Sequence, residues 1–235
     1  MVFYPTITEG LIYQAKTLFS RNHPMILHKT NFLMRALYPD FVWRKDRQEK
    51  TIYLTFDDGP VPEITEFVLE TLGRFNAKAT FFCIGDNIRK HPFIFEKVIN
   101  EGHTVGNHTF NHLKGWDTRN EEYLSNIKQC DTEISNKIIQ AQNSKKLFRP
   151  PYGRIKRSQV RDLLPEYDII MWDVLTADYD AHLLPETVLT KALKYTENGS
   201  IVVFHDSIKA NKNMSFVLPR FLEYFSEREF RFQSI

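Results

Sequence analysis

The feature that most restricts what this chain can fold into is an alternation between two hydrophobic periods. Runs rich in β-branched and aromatic residues fall at 51–56, 79–84, 103–107, 168–173, 200–204 and 229–233, and Leu147, Phe148 and Arg149 before Pro150 make a seventh short run. Such runs read as strands. Between them apolar residues recur at helical spacing, as in Ile64, Phe67, Val68 and Leu72, in Tyr123, Ile127, Cys130, Ile134 and Ile138, and in Phe216, Val217, Phe221 and Phe225. Strand and helix in turn call for parallel strands with right-handed crossovers. The expected class is α/β, and a barrel follows more naturally than an open sheet.

With 235 residues, 42% hydrophobic and 26% charged, the chain can bury one substantial core and is too polar to live inside a bilayer. The barrel is expected over residues 51–235, after a partly helical N-terminal extension at 1–50. There, TITEGLIYQAKTLF has the character of a short helix, and HPMILHKTNFLMRALYPDFVW mixes aromatic, apolar and basic side chains. Packing against the barrel is the expected role of the extension, with interfacial membrane binding or a dimer contact as alternatives. No stretch approaches a membrane span, and Glu9 and Lys16 interrupt any signal-like apolar run, so the expected compartment is the cytoplasm. A formal net charge of +2, with the basic residues scattered, argues against nucleic acid as a partner. Cys83 and Cys130 lie in apolar settings without metal-type spacing and read as buried free thiols, a disulfide between them being the alternative. Oligomeric state is not legible.

In parallel barrels chemistry gathers where the strands end, because the loops there converge on one mouth. Asp57 and Asp58 follow the first strand, with Gly59 and Pro60 turning the chain behind them. Two adjacent carboxylates repel, so a cation can neutralise one while the other accepts a proton. His108 and His112 follow the third strand at a spacing of four, which on a helical turn puts both imidazoles on one face and, with a carboxylate, makes an open three-ligand metal site. Arg149 precedes two prolines that stiffen the backbone and carry no N–H, so the first free amide belongs to Tyr152. His205 ends an apolar strand, and Asp173 and Asp178 supply carboxylates to pair with it. His91 and His103 lack such partners and read as structural.

The motifs TFDDGP, HTFNH, RPPYG, WDVLTADY and IVVFHD, in this order, resemble the signature of the polysaccharide deacetylases, the NodB-homology domain of carbohydrate esterase family four. The resemblance runs from about Thr51 to the C-terminus and implies a distorted (β/α) barrel of about seven strands. It implies Asp57 as general base oriented by Arg149; Asp58, His108 and His112 as ligands of one divalent metal; and His205 as general acid paired with Asp178. Zinc is the expected ion, with cobalt, nickel or manganese as alternatives. It further implies an oxyanion contact from the Tyr152 amide and substrate contacts from Tyr179, Val203 and Trp172. The chain departs from the family at Tyr179, where Trp is common, and at Val203, where Leu is common, which bears on acyl preference rather than reaction type.

The implied activity is metal-dependent hydrolysis of N-acetyl groups from an N-acetylhexosamine glycan, peptidoglycan-like or chitin-like. Two rivals stand beside it. The same site can serve another acyl or amide substrate, because fold and metal do not fix substrate. A catalytically silent carbohydrate-binding barrel is the second, and it would be free to lose groups that this chain retains.

Overall fold

A computed structural model describes residues 27–137 and 145–235. The helical reading of TITEGLIYQAKTLF, and Ile138 in the central helix, lie outside the described residues. Along the chain run α1 (Phe32–Leu37), β1 (Thr51–Asp57), α2 (Ile64–Arg74), β2 (Thr80–Cys83), α3 (Gly85–Lys90), α4 (Pro92–Asn100), β3 (Thr104–Asn107), α5 (Asn120–Ser135) and β4 (Lys146–Phe148). After them come α6 (Arg157–Leu163), β5 (Tyr167–Ile169), β6 (Val174–Leu175), α7 (Pro185–Tyr195), β7 (Ile201–His205), α8 (Asn211–Ser226) and β8 (Arg231–Gln233). The strands pair in parallel in the order β5-β4-β3-β2-β1-β7-β6, with β8 on β1. Among the described residues no helix is long and apolar enough to cross a membrane.

The two ends of that order, β5 and β6, are successive parts of one extended segment. Its beginning pairs with β4 and its end with β7, which curls the sheet into a distorted barrel. The sequence reads this segment as one strand over 168–173, whereas the chain changes hydrogen-bonding partner there. Ile170 N–H still bonds Phe148 O, Met171 N–H bonds Val42 O, and Asp173 N–H bonds Ile201 O.

Strands that diverge leave backbone groups that need partners. Two wedges fill those gaps. Below the paired part of β1 and β2, β8 enters, with Phe232 O accepting Lys78 N–H. Between β5 and β7 runs the segment before β1, where Val42 N–H bonds Ile169 O and Lys45 N–H bonds Gly199 O. Further back, Lys29 Nζ lies 2.7 Å from buried Asp173 and 2.6 Å from Glu197, and Thr30 Oγ1 donates to Trp172 O.

Parallel strands covered on both faces are apolar throughout, and β1 is buried at every position except half-buried Tyr53. Their period of two sorts the side chains. Ile52, Leu54 and Phe56 join Val68, Leu72, Phe95 and Phe221 in the core beneath the helices. Tyr53 turns inward with Phe82, Ile170 and Ile201, which plug the barrel. On α5 the buried face includes Tyr123, Ile127, Cys130 and Ile134, at the spacing the sequence shows. Cys83 and Cys130 are buried and unbridged.

Candidate active site

The inward face of β1 carries Thr55 and then Asp57, at the strand's C-terminal end. His205 is Asp57's register partner on β7, so two side chains far apart in sequence stand side by side at the mouth. Arg149, fully buried, reaches them through the interior. Its Nη1 donates to Asp57 Oδ1 and Thr55 Oγ1, each at 2.7 Å, its Nε to Ile170 O at 3.1 Å and its Nη2 to Met171 O at 2.8 Å. The guanidinium also lies 4.1 Å from the centre of the Phe82 ring. Burial pulls Arg149 below its ordinary pKa, and the Asp57 carboxylate opposes that pull. A guanidinium held through all three of its nitrogens fixes a carboxylate in one orientation.

Beyond β1 the backbone turns, Asp58 taking φ +85°. Asn87 Nδ2 donates to Asp58 O at 2.7 Å. Asp206 Oδ1 accepts Gly59 N–H at 3.0 Å, and a Cβ at position 59 would lie 1.9 Å from Asp206 Oδ2, so only glycine fits. Burial pushes the Asp206 carboxyl up to about 8, the Thr65 hydroxyl opposing the shift. This turn aims Asp58 at the histidines: its Oδ1 lies 3.2 Å from His112 Nε2 and 3.7 Å from His108 Nε2. Burial favours a protonated Asp58. The hydrogen bond from His112, with the charges of His205, His108 and His112, outweighs it and holds the carboxyl well below the usual range.

His108 and His112 converge as their spacing suggests, but the helical turn expected from that spacing is absent. Thr109 at φ +64° and His112 at φ +56° are left-handed, so the segment is a loop. Side chains hold it: Asn107 Oδ1 accepts Thr109 N–H, Asn126 Oδ1 accepts both Phe110 and Asn111 N–H, and Thr109 Oγ1 accepts Leu113 N–H. His108 Nδ1 faces Arg149 O at 2.8 Å. A carbonyl only accepts, so Nδ1 carries the proton and, in the neutral ring, Nε2 keeps its lone pair toward Asp58. Burial drives the His108 pKa down to about 4, with the Asp57 charge opposing, which keeps that ring neutral near pH 7.

On the other side, Asp178 Oδ1 lies 2.7 Å from His205 Nδ1 and its Oδ2 accepts His205 N–H. Burial disfavours the imidazolium, yet Asp178, together with Asp58 and Asp57, lifts the His205 pKa to about 9. Asp173, the other carboxylate offered to His205 by the sequence, is not its partner. It sits among Lys29, Arg35 and Ser200, because it lies five residues earlier on the closing strand, away from the mouth.

A groove of about 900 Å³ opens over these groups. Asp57, Asp58, His108, His112, Tyr152, Trp172, Tyr179, Val203 and His205 line it, while Arg149 and Asp178 support it from behind. The Tyr179 ring stands edge-on to His205, and the exposed Tyr152 ring lies 4.7 Å from that of His112. Tyr152 is itself left-handed at φ +59°, a conformation imposed in the turn after two prolines. Thr55, Asn87, Asn126 and Asp206, and the rim cations Lys114, Arg154 and Lys209, escape the sequence reading. Asp206 alone carried a signal, being the acid next to His205.

The structure is thus a parallel barrel with three potential ligand atoms, from Asp58, His108 and His112, within 4.8 Å of one another at its mouth. The donor set suits a divalent ion: two imidazoles, one locked with Nε2 free, and an ionised carboxylate. The family model for "Polysaccharide deacetylase" matches residues 44–169, more than half of the chain. A peptidoglycan-N-acetylglucosamine deacetylase of Bacillus cereus is 31% identical over 202 residues, covering 82% of this chain and 90% of the relative. A second, from the same organism, is 36% identical over 157 residues, covering 66% of this chain and 56% of the relative, so the chain matches little more than half its length. Among solved structures, the Bc1960 peptidoglycan N-acetylglucosamine deacetylase superposes with a TM-score of 0.78 at 28% identity, over 88% of this chain and 95% of that one. The chain belongs to the polysaccharide deacetylase family.

Proposed function

We propose that this chain is a metal-dependent hydrolase that removes N-acetyl groups from N-acetylhexosamine glycans. The observation that carries the reading is the placement of Asp57, fixed by Arg149, and His205, fixed by Asp178, as neighbours beside the Asp58, His108 and His112 cluster. Hydrolysis of an amide needs a base to activate water and an acid to expel the amine, and here one group of each kind stands within reach of one point.

Asp58, His108 and His112 would hold the ion, with zinc the expected metal. Once bound, it supplies Lewis acidity to the acetyl carbonyl and lowers the pKa of water. Asp57 takes the proton of the attacking water, and Arg149 keeps that carboxylate aimed. The Tyr152 N–H donates to the oxyanion of the tetrahedral intermediate, the stiff prolines holding the amide in place. His205 gives its proton to the departing sugar nitrogen, leaving a free amine and acetate. Tyr179, Val203 and Trp172 shape the wall against the acetyl group, with Tyr179 more polar than the tryptophan common in the family.

Both Bacillus cereus relatives carry names that specify peptidoglycan N-acetylglucosamine, which favours a cell-wall glycan as substrate. The deciding experiment is mass spectrometry of acetylated oligosaccharides incubated with the metal-loaded protein. Loss of one acetyl mass per event is the expected result. Intact acetylated products under full metal loading would refute the reading.

A further inference from the structure

The mouth carries two cations that the reaction proposed above does not use. Arg154 lies just beyond β4, and its guanidinium stands 4.4 Å from the centre of the Trp116 ring on the connection after β3. Lys209 lies just beyond β7, its ammonium 5.4 Å from the centre of the Tyr179 ring after β6. Both are exposed and line the groove, and among the described residues neither has a carboxylate at ion-pair distance. The third cation on the groove, Lys114, is paired with Asp117 at 2.6 Å. In strand order β3 and β4 lie to one side of β1 and β7 and β6 to the other, which sets the two free cations on facing walls.

Two unpaired positive charges are a poor neighbour for a site that must hold a divalent ion and an imidazolium, since each disfavours the other's charged form. They are not a sample of a generally basic surface, because the formal net charge of the chain is only +2. Nor do the groove's own carboxylates answer them: Asp57 is bound to Arg149, and Asp58 faces the two histidines. A neutral sugar chain offers them nothing to pair with. The aromatic face under each cation steadies it while leaving its outer side free for an anion.

We propose that Arg154 and Lys209 form a two-sided subsite for carboxylates on the glycan flanking the sugar that is deacetylated, so that the preferred substrate is an acidic glycan rather than a neutral N-acetylhexosamine chain. This rests on the deacetylase reading and names the substrate class of the same groove. The carboxylate is carried either by the sugar itself or by a peptide attached to it.

The test compares kcat and KM of the metal-loaded full chain on three oligosaccharides of equal length. One is a neutral N-acetylglucosamine oligomer, one has an ether-linked carboxylate on alternate sugars, and one bears a short acidic peptide on that ether. At low salt an acidic oligomer is expected to show kcat/KM about tenfold higher than the neutral one, mostly through KM, with the gap narrowing steeply at about 0.5 M salt. Preference for the second oligomer assigns the carboxylate to the sugar; preference for the third alone assigns it to the peptide. Arg154→Met combined with Lys209→Met keeps the apolar stems and should remove most of the preference, costing the neutral oligomer far less. Equal kcat/KM on neutral and acidic oligomers, or a preference that survives in the double variant, overturns the subsite and leaves deacetylation standing. Absence of acetate release from all three overturns the deacetylase reading and the subsite with it.

Discussion

Arg149 grips Asp57 with its side chain and His108 with its backbone carbonyl, at 2.7 and 2.8 Å. One residue therefore orients the candidate base and fixes the tautomer of a candidate ligand, by two separable parts. Arg149→Met removes only the first. Metal content is expected to stay near one ion per chain while kcat falls at least tenfold, and stability drops by about 3–5 kcal/mol because Asp57 loses its buried partner. Loss of metal along with activity would show that the two grips are not separable.

Asp57→Asn and His205→Ala should each lower kcat by roughly a hundredfold or more with metal content intact, the usual scale for a positioned base or acid. His112→Ala, by contrast, should lose both, and a chelator should reproduce its effect on wild type. Metal analysis beside steady-state kinetics separates these outcomes. A metallated Asp57→Asn protein working near the wild-type rate would remove Asp57 from the base role.

Metal-free stability should fall as pH rises from about 6.5 to about 9. His205 is lifted by Asp178 from 6.5 to about 9, so its contribution is complete below 6.5 and vanishes as the pH passes 9, a change of about 3 kcal/mol at most. Asp206 acts in the same direction, because its folded pKa is raised to about 8 and ionisation of the buried carboxyl costs the folded state. Urea midpoints across this range should trace the decline, and His205→Gln should flatten part of it. A midpoint that is constant or rising between those pH values contradicts the His205–Asp178 pairing.

Asn126 does not line the groove, yet its Oδ1 takes two backbone N–H groups of the loop between His108 and His112. Asn126→Ala leaves both donors without that acceptor. The expected cost is about 1–3 kcal/mol in stability and roughly tenfold to a hundredfold in metal affinity, with kcat at saturating metal much less affected. Titration calorimetry with zinc reads the affinity directly, and unchanged affinity would show that the loop keeps its shape unaided.

The strands were legible because parallel barrel strands are apolar on both faces: β1 and β7 fall where residues 51–56 and 200–204 place them. The candidate site residues were legible as residues at strand ends, and all but Asp173 gather at one groove or directly behind it. What escaped depends on partners remote in sequence. Asp173 looks like an equal of Asp178 until Lys29 is seen beside it. The loop of His108 reads as helical from spacing alone, since nothing local reveals that Asn126 will supply its hydrogen bonds. The break at residues 170–173 is likewise invisible, for it arises from a change of neighbour rather than of side-chain character.

The placement of β8 against β1 has a consequence for synthesis. Ile52, Leu54 and Phe56 leave the ribosome well before β7, which begins at residue 201, and β8, which begins at residue 231. At 5–20 residues per second, roughly 10–35 s separate β1 from its last partner. During that interval an apolar strand has an open edge in a crowded cell, where neighbouring nascent chains compete to pair with it.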